Sequence, residues 1–193
     1  MAYQDEWKKG IPGHAALREL HEQLRDQIAA RYSRSLPFAD ELFDRWERAA
    51  QLGFGSGASI YDCSVVVGSV QVGEQTWIGP FTILDGSGEL SIGHHCNVSA
   101  GVQIYTHDTV AWALTGGKAQ AVRSKVTIGD QTYIGPNAII TAGVTIGDQC
   151  VIGAGALVNR DVPDRSVAFG MPARVVGRVE VEGEQVRIVY DER

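Results

Sequence analysis

Residues 126–160 read VTIGDQTYIGPNAIITAGVTIGDQCVIGAGALVNR, and every sixth position from Ile128 onward is a branched aliphatic: Ile128, Ile134, Ile140, Ile146, Ile152 and Val158. The same spacing extends toward the N-terminus. Ile60, Val66, Val72, Ile78 and Leu84 keep it, and after a two-residue slip it resumes at Ile92, Val98 and Ile104. Glycine often follows the aliphatic, as at Gly73, Gly79, Gly93, Gly129, Gly135, Gly147 and Gly153, and a small residue often stands four positions past it, as at Thr76, Thr82, Thr132 and Ala138. A period of six suits neither a helix, at 3.6, nor a simple alternating strand, at two. It suits a solenoid whose sides are short strands joined by tight corners, each side turning one aliphatic inward onto its equivalent in the next coil. Glycine at the corners is expected for the dihedrals it alone adopts freely. A β-sandwich would instead show period-two alternation and irregular turns.

The ends of the chain read differently. Residues 14–32 place Leu17, Leu20, Leu24 and Ile28 on one helical face, and residues 38–52 place Leu42, Phe43, Trp46 and Ala49 on the apolar side of a second helix. Together they are expected to form a hairpin over the first coil, because an uncapped solenoid end exposes an apolar, sheet-like face. His14 and His21, two turns apart, read as solvated surface histidines rather than metal ligands. The tail after residue 178 reads as a short hairpin around Gly183.

Composition excludes several classes of function. The net charge of −6 argues against nucleic acid as the main partner. The opening MAYQDEWKKG lacks the apolar core of a leader, and no run approaches membrane-spanning length, so a cytoplasmic protein with no membrane insertion is expected. Cys63, Cys96 and Cys150 form no CxxC pair and read as buried, reduced thiols. No phosphate-binding glycine loop follows a strand, so triphosphate and dinucleotide cofactors are not indicated.

The repeated unit [LIV]-G-x-x-[STAV]-x resembles that of the hexapeptide-repeat acyltransferases over residues 60–178, and the order aliphatic-x-Thr-His at 104–107 is similar to that of the galactoside, maltose and nodulation acetyltransferases and related sugar O- and N-acetyltransferases. The resemblance implies a mainly β, left-handed parallel β-helix, usually a homotrimer with active sites between subunits. It divides the chain into an N-terminal helical cap (1–56), an acyltransferase domain (57–178) with an external loop (106–125), and a C-terminal β extension (179–193). Gly170, Pro172 and Arg174 are similar to the turn with which such domains close.

Between Ile104 and Ile128 the chain leaves the repeat and returns in phase, and a solenoid accommodates such an excursion only at a corner. Loops on rigid scaffolds are favoured places for function. In the family this loop's histidine, His107 here, is the general base toward an acceptor hydroxyl, a role imidazole suits because its ordinary pKa lies near neutrality. The relatives carry an asparagine from an earlier coil, and its position is held here by Pro80. Asp85 and Asp108 are the carboxylates available to orient His107 or touch the acceptor. Asp108 resembles the acid of the His-acid pair in amino-sugar acetyltransferases, whereas Asp85, beside Gly86 and Gly88, reads more as a turn residue. Trp112 is a candidate for stacking on the acceptor.

For the donor, acetyl-CoA, the resemblance assigns Tyr133 to the pantetheine arm, nearby backbone to Gly135, Ala142 and Ala154, and phosphates to Arg160 and Arg174, with Arg178 close enough to join them. Arginine forks suit phosphate oxygens. No metal is called for. A γ-class carbonic anhydrase shares the solenoid but needs three histidines across a subunit boundary, and here His94 and His95 are adjacent with none beyond His107. A non-catalytic trimeric scaffold is the other alternative, one with no use for His107 or an arginine cluster. The expected activity is acetyl transfer to a hydroxyl or amine of a small acceptor, such as a sugar or nucleotide-linked amino sugar of bacterial surface polysaccharides.

Overall fold

The structure, a computed structural model, describes residue 8 and residues 10–191; most of the opening stretch read above for a leader lies outside the described residues. The chain divides into two compact units, residues 1–44 and 45–193. In the smaller, helix α1 (His14–Tyr32) spans the expected residues, yet buries none of them. Leu17 and Leu20 are exposed. Helix α2 (Phe38–Leu42) stops where Phe43 turns extended, at φ −108° and ψ 133°. The single helix expected over 38–52 is therefore two, the second being α3 (Arg45–Gln51) of the larger unit. His21 is not a solvated surface residue either. Its Nε2 lies 3.1 Å from the buried Glu41 carboxylate, and its ring packs on Phe38.

The larger unit is the solenoid. Coil one holds β1 (Ser59–Ile60) and β2 (Val65–Val72), and coil two holds β3 (Trp77–Ile78) and β4 (Ile83–Ile92). Coil three holds β5 (Asn97–Val98) and β6 (Gln103–Ile104), an excursion with β7 (His107–Asp108), α4 (Val110–Leu114) and β8 (Val122–Arg123), then β9 (Val126–Ile128). Coil four holds β10 (Tyr133–Ile134), β11 (Ile139–Ile140) and β12 (Thr145–Ile146), and coil five β13 (Val151–Ile152) and β14 (Leu157–Val158). A sixth begins with β15 (Ser166–Gly170), on which β16 (Ala173–Glu182) and β17 (Gln185–Tyr190) fold back antiparallel.

Parallel pairing defines three faces. The first is the ladder β1-β3-β5-β10-β13-β15. The second runs through the first halves of β2 and β4 to β6, β11 and β14, and the third through their second halves to β9 and β12. The predicted aliphatics point inward, and Ile60, Leu84, Ile104, Ile134, Ile140 and Ile152 are wholly buried. Burying a side chain of this size is worth roughly 1.5–3 kcal/mol, so the stack itself is the main stabilising element. At the open end α3 packs on β1, placing Ala49 in the core. Arg48 donates to the carbonyls of Tyr61 and Ser64, which ties the helix to the first corner.

The corner between the third and first faces corrects the reading of its glycines. Gly93, Gly129 and Gly147 do not adopt positive φ; the left-handed residues are His95, Gln131 and Gln149, two positions on, at φ 54–56°. These glycines are needed for space. A Cβ on Gly93, Gly129 or Gly147 would sit 2.1–2.2 Å from the carboxylate of Asp130, Asp148 or Asp164 in the next coil. Those carboxylates accept the backbone N–H of His94, Asp130 and Asp148 at 2.7–2.9 Å, forming a ladder across coils. Cys96 and Cys150 are buried corner residues whose thiols donate to the Gly129 and Pro163 carbonyls, whereas Cys63, expected to be buried, is only half-buried.

Gly129→Ala should therefore destabilise the protein by about 1–3 kcal/mol or more, the usual range for forcing atoms into a filled site. Gly183→Ala, in a hairpin turn at φ 60° with open space around it, should cost only about 1 kcal/mol. Urea unfolding of the two variants checks the order; equal midpoints would refute the carboxylate-ladder account.

Candidate active site

The corner between the second and third faces departs from the repeat in two successive coils. In coil two the register of β2 and β4 shifts between Gly68 and Val70, so residues 87–89 bulge opposite Ser69. In coil three the external excursion leaves from the same corner, and β7 and β8 close its base as an antiparallel pair, His107 opposite Arg123 and Asp108 opposite Val122. Glycine is required beneath this stack. A Cβ at Gly86 would meet the Ser69 carbonyl oxygen at 2.2 Å, and one at Gly88 the Thr106 carbonyl oxygen at 2.5 Å.

The bulge and the loop bring Asp85 to His107. Asp85 is 3% exposed, and its Oδ2 lies 2.6 Å from His107 Nδ1. That oxygen also accepts the Thr106 N–H at 2.8 Å and its hydroxyl at 3.2 Å, while Oδ1 accepts the Ser87 N–H at 3.0 Å. Thr106 is buried too, and its hydroxyl oxygen accepts the Gly88 N–H at 2.7 Å, locking the bulge to the loop. Burial by itself would push the Asp85 carboxyl up. The hydrogen bonds from Ser87, Thr106 and His107 together outweigh it and hold the group well below the usual carboxylate range. With Nδ1 committed to Asp85, the imidazole, 39% exposed, has its Nε2 free for chemistry.

Asp108 is placed otherwise. Its Oδ1 accepts the Val110 N–H, so it caps the turn into α4 and does not touch the imidazole. Trp112 is exposed on α4 and lies within contact distance of Gly117. The donor candidates fall on two edges. Ala142 and Arg160 stand on the same corner as His107, one and two coils further on, while Tyr133 and Gly135 lie on the first face and Ala154 at its corner with the second. Tyr133 is exposed, and Arg160 has no hydrogen bond or ion pair among the described residues. Arg174, exposed on β16, donates only to its neighbour's carbonyl. Arg178 is paired along its own strand, Glu180 taking both its Nε and Nη2 at 3.0 Å. Among the described residues no group of three or more His, Cys, Asp or Glu is placed to hold a metal ion, and no helix is long and apolar enough to cross a membrane.

Of the two carboxylates the sequence offered to orient His107, it is Asp85, read there more as a turn residue, that meets the imidazole. Its signal is the slip: a coil here is 20 residues, with Leu84 paired to Ile104, so Asp85 stands beside Tyr105 and within reach of a residue two further on.

Comparison with known proteins agrees with this architecture. Residues 125–160 match the family described as bacterial transferase hexapeptide (six repeats). Protein CapG of Staphylococcus aureus is 41% identical over 92 residues, which are 47% of this chain and 54% of CapG, so the match spans about half of that relative. A hexapeptide-repeat acetyltransferase from Vibrio cholerae, VCA0836, solved with acetyl-CoA, is 26% identical with a TM-score of 0.57 over 88% of this chain and 90% of its own. A maltose O-acetyltransferase from Clostridium difficile is 28% identical, with a TM-score of 0.57 over 86% of each chain. Residues 125–160 thus carry the repeat of that family, and the solenoid that this repeat builds is the left-handed parallel β-helix.

The buried carboxylate makes stability depend on pH. Unfolded, Asp85 titrates near about 3.9; folded, it stays ionised to lower pH. Its contribution is thus fully present above that pH and is lost as pH falls through the folded value. Asp85→Asn should be less stable than the wild type at pH 7 and should lose less stability on acidification below about pH 4. Parallel acid limbs in urea unfolding would contradict this.

Proposed function

We propose that the protein transfers an acetyl group from acetyl-CoA to a hydroxyl or amine of a small acceptor, a sugar or nucleotide-linked amino sugar, with His107 as general base. The observation that carries this reading is the 2.6 Å contact between His107 Nδ1 and a buried, fully hydrogen-bonded Asp85 at the mouth of the one external loop. Asp85 accepts the Nδ1 proton, which fixes the tautomer with Nε2 as acceptor and favours the imidazolium once it forms. His107 Nε2 then takes the proton of the acceptor hydroxyl as its oxygen bonds to the thioester carbonyl carbon. When the C–S bond breaks, the same imidazolium returns the proton to the departing thiolate. The donor supplies the activated acyl group; the chain supplies base, orientation and binding. The exposed Tyr133 ring, Arg160 and Arg174 fit an arm that ends in phosphates. An amine acceptor would already be nucleophilic when neutral and would depend less on His107.

A homotrimer with sites between subunits is part of the proposal. Within one chain His107 and the first-face candidates lie on different edges, so a second copy is needed to bring them to one cleft. The second face supplies a contact surface, since its outward positions Val65, Ile83, Ile139 and Leu157 are apolar, interrupted only by Gln103.

Assayed with acetyl-CoA and a panel of sugar hydroxyl acceptors, His107→Ala should lower kcat by about 10²- to 10⁴-fold, the usual worth of a positioned base. Asp85→Asn should also be strongly impaired, and Asp108→Asn should fall within a few-fold of wild type. Full activity in His107→Ala would overturn the mechanism, and no thioester consumption with any acceptor would overturn the function.

A further inference from the structure

We infer that Arg123 selects the acceptor by holding a phosphate group that the acceptor carries close to the atom His107 activates. The inference rests on the proposed acyl transfer and adds the class of acceptor. Arg123 is the ladder partner of His107 in the β7–β8 pair. Directly opposed residues of an antiparallel pair project to the same side, with Cβ atoms about 4.5–5.5 Å apart. Gly88 lies beneath them: a Cβ there would stand 3.1 Å from the Arg123 Cβ, so the bare backbone leaves room for the arginine stem.

Two charged residues of the same segment have other partners. Lys125 faces Glu89 at 4.0 Å, and Asp108 is engaged by the Val110 N–H. The Arg123 side chain has no hydrogen bond or ion pair among the described residues. The stretch from Thr109 to Gly129 holds three cations, Lys118, Arg123 and Lys125, and no acidic residue, in a chain whose net charge is −6. An unpaired guanidinium beside the base in such a stretch suits an oxyanion, which it binds through two parallel N–H bonds. The donor's own phosphates do not meet it there, because they lie a whole pantetheine arm from the thioester that must reach His107. The phosphate is therefore the acceptor's.

Two measurements test this. Kinetics with paired acceptors, glucosamine against glucosamine 6-phosphate and glucose against glucose 1-phosphate, should show wild type preferring the phosphorylated member. Arg123→Gln should reduce that preference at least tenfold while the KM for acetyl-CoA moves less than twofold, and Arg123→Lys should restore part of it. Separately, titrating inorganic phosphate should shift the His107 imidazole resonance in wild type and not in Arg123→Gln, a readout that requires no turnover. If no acceptor is acetylated but the phosphate shift depends on Arg123, the anion site stands and the proposed reaction falls. No phosphate-dependent shift in wild type, or a raised KM for acetyl-CoA in Arg123→Gln, overturns the inference.

Discussion

The closeness of successive coils governs everything else in this solenoid. Parallel strands bond each coil to the next, with inward aliphatics stacked on one another and no space for an added methyl at corner residues such as Gly93, Gly129 and Gly147. Where the third face turns into the first, a carboxylate from the next coil occupies the volume that a Cβ would need, and it caps a backbone N–H that would otherwise be orphaned. Such a corner tolerates no insertion. The corner between the second and third faces carries no such ladder in coils two and three, and both departures from the period occur there. The location of the candidate site thus follows from where the stack can be interrupted.

The same crowding accounts for the state of Asp85. A carboxylate buried without partners would take up a proton. Here the bulge at residues 87–89 and the first residues of the loop supply the Ser87 and Thr106 donors, and these keep the charge in place. Because the donors are mostly backbone groups of the two irregular segments, the slip in coil two and the excursion in coil three act as one device. One presents the carboxylate and the other presents the imidazole to it. Thr106 fastens the two through its hydroxyl.

Much of this was legible in the residues. The period of six located the main inward stack, though it passes over the buried Leu90, Val102, Val126 and Val162, and the helical spacing of Leu17, Leu20, Leu24 and Ile28 located α1. The interval between Ile104 and Ile128 located the loop. What escaped the reading shares a physical cause, since each case depends on which groups meet across coils or across a turn. Asp108 is next to His107 in sequence, yet a side chain that caps its own turn points away from its neighbour. Asp85 lies 22 residues earlier, and only the 20-residue length of that coil reveals the encounter. Glycines that resemble left-handed corner residues instead make way for carboxylates, and Arg178, read in sequence as one of a cluster of arginines, meets Glu180 two residues on along the same strand.

The faces of the solenoid differ in a way that bears on assembly. Outward positions of the third face are Gln71, Ser91, Thr127 and Thr145, which water satisfies, while those of the second are mostly Val, Ile and Leu. Water contact on the second face costs free energy at each such position, roughly in proportion to apolar area. In the proposed trimer that face meets a neighbour, and the adjoining corner, where His107 stands, comes to the rim of the contact. Gln103 is the exception in the row, and its amide oxygen accepts the Tyr105 hydroxyl at 2.8 Å. Its polarity is thus satisfied within the chain, and covering it costs less than covering an unpaired amide would.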